Sequence, residues 1–98
     1  MRPVLHGDVS NAARAMLFVA GTERARLCQA LLAQAEQADA YVLKYRRVHP
    51  EWGNGSLMSA ARKYPLADEP TFDDPDYCAC FAMVLSALRD ASLIRTRS

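Results

Sequence analysis

The placement of proline constrains this chain more than any other feature. Four of its five prolines, Pro50, Pro65, Pro70 and Pro75, fall between His49 and Asp76. Proline lacks the backbone N–H and crowds the preceding turn, so helices stop at it. The same stretch holds the only Trp, one of the two His, two of the four Gly and six of the eleven acids. The remainder is rich in Ala and Leu and reads as helix. Residues useful for recognition are thus gathered in one connecting region.

The punctuation predicts four helices. The first runs from about Val9 to Ala20, with Asp8 as its N-cap and Gly21 as its left-handed stop. Val9, Ala13, Met16, Leu17 and Ala20 share one of its faces. Thr22 caps a long second helix that reaches about His49, where Pro50 ends it. Its inward seam is Cys28, Leu31, Ala35, Ala38, Val42, Tyr45 and His49, spaced alternately three and four apart. That spacing serves either packing inside a bundle or self-association of two copies.

Trp52-Gly53-Asn54-Gly55 is turn chemistry, and Ser56 caps a short third helix from about Leu57 to Tyr64. Asp74-Pro75 is a strong helix start, combining an N-cap acid with Pro at the first helical position. The fourth helix, from Pro75 to about Ala91, contains twelve residues from Tyr77 to Leu88 of which only Ser86 is conventionally polar. A helix apolar nearly all round is expected to be central, or buried in a dimer. The fold class is therefore all-α: a compact four-helix domain with one long second helix, a single unit over residues 1–98.

Composition sets further limits. The apolar fraction of 51% supports a folded core, but much of it is Ala, which buries little area. A second copy would thicken such a core, and a homodimer is expected. No stretch approaches the roughly twenty apolar residues of a membrane span. Pro3, His6, Gly7 and Asp8 interrupt any apolar signal core. Three Cys inside helical patterns fit a reducing cytoplasm better than a disulfide framework. Net charge is +1, without the basic excess of most nucleic-acid readers. The charge is nevertheless segregated. Asp68, Glu69, Asp73, Asp74 and Asp76 form an acidic run, whereas Lys44, Arg46 and Arg47, then Arg62 and Lys63, form basic groups, and Arg89, Arg95 and Arg97 follow. Pairing of the acidic run with Arg62, Lys63 or the end of the second helix is expected.

No arrangement of residues demands a metal or cofactor. Cys78 and Cys80 point about 200° apart on a helix and cannot clamp one ion. The acidic run lacks the central Gly and terminal Glu of an EF-hand loop. No catalytic motif is present: the serines have no elbow context, His6 belongs to a terminus, and His49 lies on the inward seam. The chain is therefore expected to be non-enzymatic. Gly53-Asn54-Gly55-Ser56 opens a helix and suits an anion, although it is not a Walker loop. His49, Trp52, Asn54, Ser56, Arg62 and Lys63 are the candidate binding residues. Trp52 is expected to pack over the corner between the second and third helices.

The run from His49 to Met58, the segments Ala67-Asp68-Glu69-Pro70 and Asp73-Asp74-Pro75, and the start from Met1 to Val9 together resemble a family of short alphaproteobacterial proteins. That resemblance covers most of the chain. It implies a bacterial cytoplasmic protein and carries over neither an activity nor functional residues. The reading is a small helical protein acting through protein–protein contacts. The alternative is a small-molecule or anion-binding module centred on residues 49–63, with nucleic-acid association third.

Overall fold

Helix α1 (His6–Phe18) forms the middle of the molecule. Asp8, Val9, Ser10, Asn11, Ala12, Ala13, Ala15 and Met16 are all buried along it. The computed structural model describes residues 1–97, with side chains as far as Leu93. Around α1 pack α2 (Arg24–Tyr45), α3 (Leu57–Ala61) and α4 (Pro75–Arg97), and a 3-10 turn, Gly21–Glu23, leads into α2. The architecture is all-α with one long second helix, as the sequence predicts. The central position is not the predicted one. Among the described side chains of α4 only Tyr77, Cys80 and Val84 are fully buried, whereas Met83 and Leu85 are exposed. Small side chains at Ala12, Ala13 and Ala15 let several helices approach α1 at once, which counts for more than raw hydrophobicity.

The core is built around Tyr77, Met16, Leu31, Leu57, Val84 and Cys80, with Ala35, Ala38, Ala60 and Ala61 at the helix contacts. Each large side chain contributes about 1.5–3 kcal/mol on burial. The seam residues Cys28, Leu31, Ala35 and Ala38 are buried within the chain. These four are used in packing inside the chain, whereas Tyr45, expected on the same seam, is 49% exposed because the buried stripe does not extend to the last turn of α2.

Several boundaries differ from expectation, each for a local reason. Helix α1 starts at His6, with Leu5 at the cap, so Asp8 occupies the third helical position. From there Asp8 Oδ2 accepts the Leu5 N–H at 2.8 Å, and Oδ1 accepts the Met58 N–H at 2.8 Å. One carboxylate thus joins the starts of α1 and α3. His6 is anchored too, its ring 5.7 Å from that of Phe81. At the other end Val19 is extended and Gly21 does not take a positive φ. Arg24 serves that end instead, donating from Nε to Met16 O at 3.1 Å. Cations are favoured at helix C-termini, where carbonyls lack partners.

Helix α2 stops at Tyr45, earlier than Pro50 requires. Arg46 is left-handed (φ 58°) and donates its N–H to Val42 O. Two further starts match expectation. Ser56 Oγ accepts the Ser59 N–H at 3.1 Å, and Asp74 Oδ1 accepts the Tyr77 N–H at 3.0 Å. Helix α3 ends at Ala61 rather than Tyr64, and Tyr64 Oη meets the Gln34 amide at 2.7 Å. The Pro-rich strap before α4 lies on α1, where Arg14 Nε donates to Ala67 O at 2.8 Å and Ala67 N–H donates to Arg14 O at 3.1 Å.

Candidate functional site

The end of α2, the left-handed Arg46 and the N-terminal arm enclose a cleft of about 540 Å³. Arg2, Arg46 and Arg47 line it, together with Asp39 and Asn54. Its apolar wall is Val42, Leu43 and Val48, of which Leu43 is 65% and Val48 62% exposed. Backbone geometry brings these pieces together. Arg2 N–H donates to Gly55 O at 2.9 Å, laying the arm on the Gly55 turn. Gly55 has φ +95°, and a Cβ there would lie 2.7 Å from Asp39 Cα. Only glycine lets this turn close on α2.

The electrostatics of the cleft are one-sided. Among the described residues no carboxylate pairs with Arg2, Arg46 or Arg47; the ion pairs are Met1–Glu36, Met1–Asp39, Arg26–Glu23 and Arg89–Asp90. Asp39 accordingly faces the Met1 ammonium at 3.0 Å. Burial pulls the pKa of that ammonium down, but hydrogen bonds to Glu36 and Asp39 outweigh it and the net shift is upward. Three permanently charged planar forks are left to meet an oxyanion.

The structure separates the six residues selected from sequence. Asn54 lines the cleft, and its Oδ1 accepts the Ser56 N–H at 3.0 Å. Ser56 lies in an adjoining hollow with Arg2, its hydroxyl capping α3. His49 is not on an inward helical seam. It pairs with Gly53 through two backbone hydrogen bonds, and its Nδ1 accepts the N–H groups of Glu51 and Trp52 at 3.0 and 3.1 Å. It organises the loop. Trp52 is half-buried and stacks on His49, which meets Tyr41 edge-on at 4.9 Å. Trp52 therefore packs on the α2 side of the corner. Tyr41 and Leu43 are two positions apart, about 200° on a helix, so this aromatic ladder and the cleft occupy opposite flanks of α2. Arg62 and Lys63 are exposed in the turn after α3 and line neither hollow.

The expected pairing of the acidic run with basic groups is absent among the described residues: Asp68, Glu69, Asp73, Asp74 and Asp76 enter none of the ion pairs. The strap follows α1 instead. Arg95 and Arg97 lie outside the residues whose side chains are described. Of the residues lining the cleft, the sequence singles out Asn54 as a binding candidate and Arg46-Arg47 as a basic group but not Arg2, which reaches the cleft only through the Gly55 turn.

Among the described residues no three His, Cys, Asp or Glu side chains converge to hold a metal ion, and no helix is long and apolar enough to cross a membrane. Cys28 and Cys80 are buried, and burial raises both thiol pKa values. Cys78 donates from Sγ to Phe72 O at 2.8 Å. No curated protein and no solved structure matches the chain. Residues 2–88 match a family described as a domain of unknown function (DUF7742), and the chain belongs to that family.

Proposed function

We propose that this chain is a non-enzymatic, cytoplasmic bacterial protein that works by protein–protein contact, and that the arginine-lined cleft receives an acidic, partly apolar segment of its partner. One observation carries the reading: three guanidinium groups with no carboxylate partner among the described residues line one cleft with the exposed Leu43 and Val48. Charged and apolar groups side by side suit a peptide carrying both better than a simple anion. Guanidinium groups do not exchange protons near neutrality, which favours binding over acid–base catalysis. The bacterial and cytoplasmic parts rest on the resemblance to alphaproteobacterial proteins and on three free cysteines. A small anion is the second reading, favoured by Asn54 in the cleft wall, and it moves the centre from residues 49–63 to the end of α2. Nucleic acid is third, since the stacking aromatics and the arginines lie on different flanks.

Fluorescence anisotropy with a labelled peptide of Glu, Asp and Leu tests the site, with pyrophosphate and a single-stranded oligonucleotide as competitors. Reversing Arg46 and Arg47 to Glu is expected to abolish peptide binding, while reversing Arg62 and Lys63 leaves it intact. The opposite pattern would move the site to the end of α3. Stronger competition by pyrophosphate or by the oligonucleotide would favour the corresponding alternative.

A further inference from the structure

We infer that the segment entering the cleft is the acidic strap of a second copy of this chain, so that copies associate strap to cleft. This rests on the reading of the cleft as a protein-docking surface. The strap has the chemistry the cleft asks for. Asp68, Glu69, Asp73 and Asp76 are exposed and in no ion pair among the described residues, and Phe72 beside them is 55% exposed. The cleft offers Arg2, Arg46 and Arg47 with Leu43 and Val48.

Within one chain the two surfaces do not meet. The strap is tied to the middle of α1 by the Arg14–Ala67 hydrogen bonds, whereas the cleft is tied to the N-terminal arm through Arg2 and Gly55. Opposite charges left unsatisfied on one molecule can satisfy each other between two. The strap is also partly ordered in advance. Pro70 and Pro75 restrict it, Asp74 N–H donates to Thr71 O at 3.1 Å, and Phe72 stacks on Tyr77 at 5.3 Å. Pre-ordering lowers the entropy lost on docking. A net charge of +1 leaves little repulsion between copies. Each copy presents one strap and one cleft, so docking in one direction gives a heterologous contact that propagates into rings or short chains, and reciprocal docking closes a dimer.

Sedimentation equilibrium of the full chain tests this, with circular dichroism as a check that each variant is folded. The parent is expected to associate at low salt, and its association to weaken at least about tenfold between about 50 and 500 mM NaCl. The variant Arg46→Glu/Arg47→Glu and the variant Asp68→Lys/Glu69→Lys/Asp73→Lys should each remain at the 10.9 kDa monomer mass. Mixed in equal amounts they should associate again, because each supplies the charges the other lacks. Asp74 is left alone because it caps α4. A parent that stays monomeric at about 1 mM in low salt overturns the inference, as does association that either reversal leaves unchanged. A monomeric parent that still binds the acidic peptide through Arg46 and Arg47 would remove the second copy as occupant while keeping the cleft as a docking site.

Discussion

Replacing Arg46 with glycine should make the protein more stable and worse at binding. Arg46 is the only described non-glycine residue with positive φ, at 58°, and it ends α2. A side chain in that region costs about 1–2 kcal/mol relative to the right-handed well. Glycine escapes most of that cost but loses about 0.5–1 kcal/mol through greater backbone freedom in the unfolded chain. The hydrogen bond from residue 46 N–H to Val42 O is kept, and the Arg46 side chain is exposed, so little packing is lost. The net gain for Arg46→Gly is about 0.5–1 kcal/mol, or about 2–8 °C in Tm for a chain of this size. Arg46→Ala is the control. It removes the same guanidinium but keeps the backbone strain, and should stay within about 0.5 kcal/mol of the parent. Both variants should bind the acidic peptide about fivefold more weakly, since each loses one of three arginines, worth about 1 kcal/mol. Thermal melts followed by circular dichroism, together with peptide anisotropy, read the two effects separately. An Arg46→Gly protein that melts no higher than Arg46→Ala would refute the strain argument. Parental peptide binding by both would refute the role of Arg46 in the cleft.

Three further outcomes follow from the same geometry. Asp8→Ala should cost about 3 kcal/mol in urea unfolding because the Leu5 and Met58 N–H groups lose their shared acceptor, whereas Asp8→Asn, which keeps one acceptor oxygen, should cost roughly half; equal losses would mean that only one of the two bonds matters. Gly55→Ala should cost about 3 kcal/mol from positive φ plus contact with Asp39, whereas Gly21→Ala, with open space around it, should be neutral or stabilising by about 0.4–1 kcal/mol; similar melting points for the two variants would contradict this. Burial holds the Cys28, Cys80 and Tyr77 pKa values above their ordinary ones, so the fold keeps their protons while the unfolded chain releases them. Their contribution is therefore fully present below the ordinary thiol value of 9.0 and is lost as pH rises through the folded values, so unfolding free energy should fall above about pH 9. A stability curve that rises over that range would show the sign to be wrong.

The sequence alone determined the local punctuation of this protein. The Ser56 cap and the Asp74-Pro75 start are legible because a capping side chain reaches a backbone N–H only two or three residues away, so the signal and its consequence share one window. The inward positions Cys28, Leu31, Ala35 and Ala38 are legible because helical spacing alone places them on one face. The segregation of acidic from basic residues is likewise visible in the chain, but not what those charges face. Tertiary structure decided that α1 is the centre, since alanine scores as weakly apolar yet permits the closest helix contacts. It decided that Asp8 joins two helix starts fifty residues apart, and that α2 ends at Arg46 rather than at proline. It also decided the cleft. Arg2 and Arg46-Arg47 are more than forty residues apart in sequence and share a site only because Gly55 has no side chain to hold its turn away from Asp39.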